Sequence, residues 1–465
     1  MQQEASASGT PLEVVVLAAG KGTRMRSSLP KVMHLLAGKP MLHHVLDKAQ
    51  ALNATAMHVV VGHQAERVEA ETPYPANWVL QKEQLGTGHA MMQVAPHLED
   101  GSLVLVLYGD VPLVSEATLA RCVESAAAGK LALITAVFSD PAALGRIVRS
   151  SDGAIKAIVE YKDATAEQRC IEEINSGILA VGAAELKQML KRITNENAQQ
   201  EYYLTDIVEL AVSDGLNVEG IVAERPEEVT GVNDRVQLSE LERIHQLDLA
   251  TELQRAGVTV ADPARIDIRG RVIAGQDVFI DANVVFEGEV VLEDGASVGP
   301  HTFIRNARIQ RGARVEPNST VDGATLGPQS SVGPFARIRP GTELAEGVKI
   351  GNFVETKKAR IGAGSKASHL TYLGDVTIGI DCNIGAGTVT CNYDGINKHK
   401  TEIGDDVFVG TNSTLVAPLT LGNGAFVAAG STITNNLGDG DLGVGRGKQR
   451  NIQGWTRPDK RKQRS

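Results

Sequence analysis

Two different hydrophobic patterns divide the chain. In the first part, short apolar runs at residues 14–19, 57–61 and 103–108 end in glycine or aspartate, and they alternate with helical stretches such as residues 40–52. Unbroken apolar runs before glycine are typical of buried parallel strands. Strands that alternate with helices predict a doubly wound, Rossmann-like α/β sheet. Ligands bind such sheets at the carboxyl ends of the strands.

From about residue 264, isoleucine, valine or leucine recurs at every sixth position, and glycine often follows it. A period of six fits neither a helix nor a free strand and predicts a parallel β-helix. A glycine-rich β-sandwich is the alternative, but it would not hold the phase for so long. The phase breaks at residues 391–402, which predicts a loop ejected from one face. The anchors are Leu292, Val298, Ile304, Leu326, Val332, Ile338, Leu344, Ile350, Thr356, Ile361, Ala367, Leu373, Ile378, Ile384, Thr390, Ile403, Val409, Leu415, Leu421, Val427 and Ile433.

A helix is expected between these two parts, because residues 236–256 carry Leu238, Leu241, His245 and Leu249 near helical spacing. We therefore predict a first domain over 1–235, a linker helix region over 236–263, the β-helix over 264–447 and a basic tail over 448–465. The tail is either a solvated charged end or a segment that reaches over a neighbouring anionic site.

Composition narrows the function classes. The 465 residues suit more than one domain, and 42% hydrophobic with 22% charged residues is normal for a soluble protein. A net charge of −10 disfavours nucleic acid as a partner. The four cysteines have no CxxC spacing, which argues against zinc and disulfides. No signal peptide and no apolar run of ~18 residues is present, so we expect a cytoplasmic protein without a membrane partner.

A glycine loop with basic residues follows the first predicted strand. It carries Gly20 and Gly22, and Lys21, Arg24 and Lys31 supply positive charge. It lacks the ending of a P-loop, and Met25 stands where a dinucleotide fingerprint needs its third glycine. Backbone N–H groups of such a loop can still approach a phosphate. An ordinary strand–helix turn is the alternative.

Two further features support a nucleotide site. The small-residue loop at 84–90 could accommodate a base or a sugar. Asp110 follows a predicted buried strand, where a carboxylate could hold Mg²⁺ together with substrate phosphates. A turn or helix-capping role is the alternative for Asp110.

Polar residues cluster in a few coils of the predicted β-helix. A histidine suits deprotonation of an amine, and cations suit a sugar phosphate. His369 could instead be a surface residue without a task, but Glu355 in a nearby coil could orient its ring. The cluster contains Arg339, Lys357, Lys358, His369, Tyr372, Asn383, Asn392, Tyr393 and Lys398.

The segments LAAGKGTRM, QLGTGHA, YGDVPL, VEYKDA, EINSGI and EYYLTDI resemble those of sugar-nucleotide pyrophosphorylases. Together with the hexapeptide half, residues 12–457 resemble the GlmU family, in which an N-acetylglucosamine-1-phosphate uridylyltransferase is joined to a glucosamine-1-phosphate N-acetyltransferase. The resemblance implies a left-handed β-helix, a homotrimer and synthesis of UDP-N-acetylglucosamine. The implied substrates are UTP, N-acetylglucosamine-1-phosphate, glucosamine-1-phosphate and acetyl-CoA, with Mg²⁺ as the cofactor.

For uridylyl transfer, the resemblance implies catalytic roles for Arg24 and Lys31 and Mg²⁺ ligation by Asp110 and Asn233. The implied nucleotide-binding residues are Leu17, Ala18, Ala19, Gly20, Lys31, Gln81, Gly86 and Thr87. The implied contacts to the sugar phosphate are Tyr108, Gly109, Asp110, Gly145, Glu160, Asn175 and Asn233.

For acetyl transfer, the resemblance implies that His369 is the general base and that Glu355 holds its ring. Two departures from the family pattern affect the acetyl-CoA contacts: position 411 is threonine where serine is usual, and no proline follows Arg446. The implied contacts to the sugar phosphate are Arg339, Lys357, Tyr372, Asn383, Asn392, Tyr393 and Lys398, and those to acetyl-CoA are Ala386, Asn392, Tyr393, Thr411, Ala429 and Arg446.

Two other functions are compatible with parts of this pattern. One is a monofunctional sugar-1-phosphate nucleotidyltransferase with a structural β-helix, which would need neither His369 and Glu355 nor the loop at 391–402. The other is a trimeric binding scaffold without activity, which would need neither the glycine loop nor Asp110 and Asn233.

Overall fold

The computed structural model describes residues 9–457, so the last eight residues of the predicted basic tail lie outside the described part. The described residues form two compact units, which divide between residues 247 and 248. Each unit has its own hydrophobic core, and each is built on the pattern that the sequence shows in that part of the chain.

The first unit is built on a nine-stranded sheet. Seven strands follow the order β11-β7-β10-β6-β1-β4-β5, β8 pairs with β10, and β9 pairs with β8. Neighbouring strands in the order from β11 to β5 run parallel, except that β10 is antiparallel to both β6 and β7. The strands are β1 Leu12–Leu17, β2 Leu35–Leu36, β3 Lys39–Pro40, β4 Ala56–Val61, β5 Asn77–Leu80, β6 Leu103–Tyr108, β7 Leu131–Val137, β8 Arg146–Arg149, β9 Ile155–Val159, β10 Glu173–Gly182 and β11 Val218–Val222.

Helices cover this sheet, as the alternating pattern predicts. The α/β class, the helix near residues 40–52 and the three apolar strands are confirmed, although β1 ends at Leu17 and leaves residues 18–20 in the loop. The helices are α1 Met41–Ala51, α2 Ala65–Ala70, α3 Thr87–Val94, α4 Glu116–Ala127, α5 Ala183–Leu190, α6 Asp206–Ser213 and α7 Arg235–Arg255, and short 3-10 turns lie at Thr23–Met25, Lys31–Met33, Ala95–His97, Gln168–Cys170, Pro226–Val229 and Pro263–Arg265.

The second unit is a parallel β-helix of short strands that stack in two long ladders. The strands are β12 Thr259–Val260, β13 Ile266–Ala274, β14 Phe279–Ile280, β15 Val284–Leu292, β16 Ser297–Val298, β17 Phe303–Ile309, β18 Arg314–Val315, β19 Thr320–Asp322, β20 Thr325–Leu326, β21 Ser331–Val332, β22 Arg337–Ile338, β23 Glu343–Leu344, β24 Lys349–Asn352, β25 Glu355–Ile361, β26 Lys366–His369, β27 Tyr372–Ile378, β28 Asn383–Ile384, β29 Val389–Cys391, β30 Thr401–Ile403, β31 Phe408–Val409, β32 Thr414–Val416, β33 Leu419–Leu421, β34 Phe426–Val427, β35 Thr432–Ile433 and β36 Leu442–Gly443.

The six-residue period is the core of this unit. All of the predicted anchors from Leu292 to Ile433 are buried, including the two threonines, Thr356 and Thr390. Their side chains stack between coils, and Thr390 satisfies its hydroxyl through the backbone of Gly374. One coil therefore stabilises the next through both backbone ladders and apolar contacts.

The predicted helix is α7, but it has no single apolar face along its length, because its apolar residues belong to two cores. Leu241 is buried against Met25, Leu36 and Met41 in the first unit. Ala250 and Leu253 belong to the core of the β-helix. None of the helices between residues 9 and 457 has the length and apolar character needed to span a bilayer.

Candidate active sites

A cavity of about 250 Å³ lies at the carboxyl ends of β1 and β6. It brings together all eight residues predicted to bind the nucleotide, together with Tyr108 and Asp110. Val32, Gln84, Ala90 and Glu201 also line it and had not been assigned from the sequence. Gln84 and Glu201 lie in the QLGTGHA and EYYLTDI segments, which could have pointed to them.

The conformation of the glycine loop requires glycine at position 22. Gly22 has a left-handed backbone with φ of 58°, and a Cβ there would lie 2.6 Å from Cβ of Lys31. Such an approach is shorter than van der Waals contact allows, so any larger residue would push Lys31 away. The loop therefore fixes the lysine at the edge of the cavity.

Lys31 joins two oxygen atoms from distant parts of the chain. Its Nζ lies 2.5 Å from Asp110 Oδ2 and donates to Asn233 Oδ1 at 3.0 Å. Arg24 donates to the same Asn233 oxygen at 2.8 Å. The backbone supports this arrangement, since Val232 N–H donates to the carbonyl of Asp110 at 2.9 Å. The predicted metal ligands thus converge on one cationic group.

The donor set of this position fits a hard cation. Carboxylate and amide oxygens are ligands that Mg²⁺ accepts, and Mg²⁺ usually takes one or two carboxylates plus phosphate and water oxygens. Within residues 9–457, no group of three or more histidine, cysteine, aspartate or glutamate side chains could hold a metal ion. The oxygen atoms of Asp110 and Asn233 could supply two ligands to such an ion.

Tyr108 connects the two halves of this site. It hydrogen-bonds with Thr87, and its pKa is raised above the ordinary value by burial and by the negative charges of Asp110 and Glu160. The ring packs against Gly177, where a Cβ would lie 2.7 Å from it. Tyr108 therefore stays neutral and can donate or accept a hydrogen bond.

The predicted sugar contacts lie beside Tyr108. Burial raises the pKa of Glu160, and its Oε1 accepts from Thr205 Oγ1 at 3.4 Å. The carbonyl of Gly145 accepts from Asn175 N–H at 2.9 Å, which ties two of these residues together. Gly109 N–H donates to the carbonyl of Leu17 at 3.0 Å and continues the sheet up to Asp110.

Arg146 supports this region and had no assignment from the sequence. Its side chain is 2% exposed, although it carries a full charge. The guanidinium donates to the carbonyls of Ala142 and Leu144, and to that of Arg169 at 3.4 Å. It holds the chain before Gly145 in place by these bonds.

Asp206 provides a test of the electrostatics near Glu160. Burial first, and then the charges of Glu160, Glu209 and Asp163, raise its pKa to about 6. Because the folded state holds this proton more tightly than the unfolded state, its ionisation destabilises the fold as pH rises through about 6. Asp206→Asn should stabilise the first unit by on the order of 1 kcal/mol at pH 7.5 and by much less at pH 4. Urea unfolding at both pH values measures the difference, and equal gains would contradict the assignment.

The second site follows a column of residues along the β-helix. Ala367, Ile384, Val409 and Val427 pair in successive coils. Two positions further on, the same register aligns His369 with three small residues. They are Ala386, Thr411 and Ala429. In the next coil the same register gives Gly445, and Arg446 follows it, where its Cδ would lie 4.0 Å from a Cβ on Gly430.

Three of the predicted cations lie close together on the other long ladder of the β-helix. The pKa of Lys357 is lowered, first by its contact with Lys398, then by burial and by the charge of Arg339. Arg339 donates to Glu355 Oε1 at 2.7 Å. Two adjacent ammonium groups repel each other, so the arrangement favours a doubly charged anion such as a phosphate monoester.

The structure corrects one predicted role. Glu355 contacts Arg339 and, more distantly, Arg337, whose NH1 lies 3.9 Å from Oε2. The ring of His369 is instead held by Asn352, whose Oδ1 lies 2.5 Å from Nδ1. The register explains this, because Asn352 pairs directly with His369 one coil later, whereas Glu355 pairs with Tyr372.

The predicted ejected loop is residues 392–400, between β29 and β30, and both strands pair with β27. Asn392 at its base donates to Asp375 Oδ2 at 2.5 Å. Tyr393 pairs with Lys398 across the loop and is 59% exposed. Asn383, also a predicted contact, is half-buried on β28.

Comparison with known proteins finds matches for both parts of the chain. Residues 14–192 match the model of the MobA-like NTP transferase domain, and residues 400–435 match that of the bacterial transferase hexapeptide, six repeats. The chain is 55% identical over 452 residues to "Bifunctional protein GlmU" of Marinobacter nauticus, covering 97% of this chain and 100% of that protein. It is 53% identical to the proteins of the same name from Stutzerimonas stutzeri and Alkalilimnicola ehrlichii, covering 97% of this chain and 100% and 98% of theirs.

The chain belongs to the GlmU family. It is a bifunctional transferase, with a nucleotidyltransferase in its first unit and a hexapeptide-repeat acetyltransferase in its second. Membership in the GlmU family excludes the scaffold without activity and the monofunctional enzyme as the main interpretation.

Proposed function

We propose that the two sites catalyse consecutive steps of UDP-N-acetylglucosamine synthesis. The β-helix site acetylates glucosamine-1-phosphate with acetyl-CoA, and the cavity at the strand ends then transfers a uridylyl group from UTP to the product. The observation that carries the assignment of uridylyl transfer is the convergence of Asp110 and Asn233 on Lys31. An assay that follows thiol release and pyrophosphate release in one sample tests both activities.

In uridylyl transfer, an oxygen of the sugar phosphate attacks the α-phosphorus of UTP, and the bond to the β-phosphate breaks. No protein nucleophile is needed, so orientation and charge neutralisation supply the catalysis. The glycine loop binds the triphosphate through backbone N–H groups. Arg24 and Lys31 neutralise the charge that develops on the pyrophosphate. Tyr108, Glu160 and Asn175 orient the sugar.

Asp110 and Asn233 would hold Mg²⁺ in this reaction. When bound, the ion supplies Lewis-acid stabilisation to phosphate oxygens. Lys31 lies against both ligands, so it can exchange one of its contacts for a phosphate oxygen as the nucleotide binds. Asn233 is anchored by Gln237, whose Oε1 accepts from Asn233 N–H at 2.7 Å.

In acetyl transfer, the 2-amino nitrogen attacks the thioester carbonyl, and the carbon–sulfur bond breaks. His369 takes the proton that the amine loses, and the thiolate of CoA leaves. Arg339, Lys357 and Lys398 bind the sugar phosphate. Tyr372, Asn383 and Asn392 contact the sugar.

The column after His369 suits an extended thioester. Ala386, Thr411 and Ala429 are small or slender, so a pantetheine arm can lie along them, and Arg446 can meet a phosphate of CoA. Threonine at 411 keeps the hydroxyl that the usual serine offers. Thr411 also accepts a hydrogen bond from Gly430 N–H through its carbonyl at 2.8 Å. We assign Asn392 and Tyr393 of the ejected loop to further acetyl-CoA contacts.

A homotrimer completes this proposal, and an exposed apolar corner supports it. Phe335, Phe353 and Leu370 follow one another in three coils and are 51%, 57% and 63% exposed. All three have positive φ, which a bulky residue adopts at a cost. The two phenyl rings stack with centroids 5.5 Å apart. Burial against other copies of the chain would offset this cost.

The corner can be tested by charge. Phe353→Asp should reduce the trimer to smaller species, because each copy would bury an unpaired carboxylate. Acetylation should fall by at least about tenfold if the site is completed between subunits, while uridylyl transfer persists. Sedimentation velocity measures the size. Phe408→Asp, in the exposed Phe408–Phe426 stack, is the matched control. A stable trimer in the Phe353→Asp variant would exclude this corner from the interface.

A fragment tests whether the first unit acts alone. Residues 1–247 include Leu241, which is buried against Met25 and Leu36, and should retain uridylyl transfer without acetylation. A fragment that ends at residue 240 lacks this leucine and should be less stable by about 2–5 kcal/mol. Thermal unfolding and pyrophosphate release measure the two properties. Equal stability of both fragments would contradict the packing of α7.

We also propose the cytoplasm as the location of the enzyme, because its expected substrates are nucleotide and CoA metabolites. Its expected partners are these small molecules and two further copies of the chain.

A further inference from the structure

One contact of the acetyl-transfer site has no assigned role. Asn352 Oδ1 lies 2.5 Å from Nδ1 of His369. The two residues are paired in neighbouring strands, β24 and β26, and Leu370 N–H donates to the carbonyl of Asn352 at 3.0 Å. The pairing of the two strands therefore fixes the Cα positions of Asn352 and His369 relative to each other.

The partner atom determines the state of the imidazole. An amide oxygen can only accept, so Nδ1 must carry the proton, and the lone pair of the neutral ring is then on Nε2. In the described part of the chain, Nε2 makes no hydrogen bond. This tautomer presents a free acceptor on the side away from Asn352, which is what a base for an amine requires.

We propose that Asn352 is a positioning residue for acetyl transfer: it holds His369 in the tautomer with a protonated Nδ1 and aims Nε2 at the substrate amine. This inference rests on the proposed function of His369 as the base. Asn352 does not touch the reacting atoms, and its effect passes through the imidazole.

The carboxylates near His369 are paired with other side chains. Glu355 is engaged by Arg339 and Arg337, and Asp375 accepts from Asn392. Lys366 lies on the same strand as His369 and pairs with Lys349, and Lys357 on β25 contacts Lys398. No carboxylate contacts the ring among the described residues, so the imidazolium formed during the reaction receives no full counter-charge from this chain. Because the amide of Asn352 is neutral, it does not stabilise the imidazolium as a carboxylate would, and His369 can release the proton after the reaction.

Two substitutions at this position separate orientation from charge. Asn352→Ala removes the acceptor, and kcat for acetylation should fall by about 10- to 100-fold while the KM values for both substrates stay within about twofold. Asn352→Asp restores an acceptor and should recover most of kcat. Its carboxylate also stabilises the imidazolium, so the acidic limb of the kcat–pH profile should move up by roughly one pH unit.

Three controls test whether a loss of acetylation comes from damage to the fold and not from the loss of orientation of His369. Uridylyl transfer and oligomer size are measured for each variant in the full-length protein. Asn306→Ala is the matched control, since Asn306 Oδ1 accepts from Glu289 N–H of the previous coil at 3.1 Å, in a part of the β-helix without site residues. It should leave acetylation unchanged.

The outcomes distinguish this inference from the function on which it rests. Full acetylation by Asn352→Ala beside an inactive His369→Ala would overturn the inference and leave the base assignment standing. Full acetylation by His369→Ala would overturn both. An acidic limb that does not move in Asn352→Asp would also overturn it. In the double variant, Asn352→Ala should cost nothing beyond the loss from His369→Ala, whereas a further tenfold loss would show that Asn352 acts independently of the ring.

Discussion

Asp110→Ala should reduce uridylyl transfer by at least about 100-fold, equivalent to roughly 3 kcal/mol of transition-state stabilisation, and should leave acetylation unchanged. The carboxylate is one of two oxygen groups that meet at Lys31. Without it, Lys31 loses its contact with Asp110, and the proposed Mg²⁺ position loses its carboxylate ligand. Pyrophosphate release at saturating UTP over a range of Mg²⁺ concentrations measures the effect.

The matched control is Asp100→Ala, which removes an exposed carboxylate paired with Lys187 at 2.5 Å on the surface of the same unit. Exposed ion pairs contribute little, so this variant should keep nearly full activity. Asp110→Asn adds a second comparison, because it retains an oxygen ligand and loses the charge. If Asp110→Ala remained nearly fully active, the assignment of this cavity as the uridylyl site would be wrong.

His369→Ala should reduce acetylation by about 10²- to 10⁴-fold, which is the range for loss of a general base. Uridylyl transfer should persist, because the histidine belongs to the second unit and the nucleotide cavity lies wholly in the first. The fold and the proposed trimer should also persist, since the His369 side chain is exposed and does not contribute to the core. Thiol release from acetyl-CoA with glucosamine-1-phosphate measures the rate.

His301→Ala is the control for this variant, because His301 is an exposed histidine in an earlier coil of the same β-helix. It should acetylate at the normal rate. Loss of both activities in His369→Ala would point to misfolding or to coupling between the sites, and circular dichroism with sedimentation distinguishes these two cases. Acetylation at the full rate would refute His369 as the base, although membership in the GlmU family would stand.

Local pattern was sufficient for most of the architecture. The anchors from Leu292 to Ile433 could be identified because a coil buries one apolar side chain per side, and every such side uses six residues. The strand ending at Tyr108 could be predicted because a strand buried on both faces needs an unbroken apolar run. Asp110 and the glycine loop followed from their places just beyond such strands.

The contacts within the sites could not be predicted in the same way. Asn233 Oδ1 receives hydrogen bonds from Arg24, which is 209 positions away in sequence, and no local pattern encodes that approach. Glu201 reaches the nucleotide cavity because the segment containing Tyr202 folds back against Gly86 and Gly88, which lack the side chains that would block it.

The sequence by itself determined the two fold types, the position of α7 and the residue types available for each reaction, because these depend on the period of burial and on the chemistry of short segments. Only the tertiary structure decided which side chains are partners. Glu355 was near enough to His369 in sequence to be its expected partner, yet the coil register pairs Asn352 with the histidine and gives Glu355 to Arg339. The physical reason is that a coil contains about 17 to 18 residues here, so a shift of three positions moves a side chain to a different column of the β-helix.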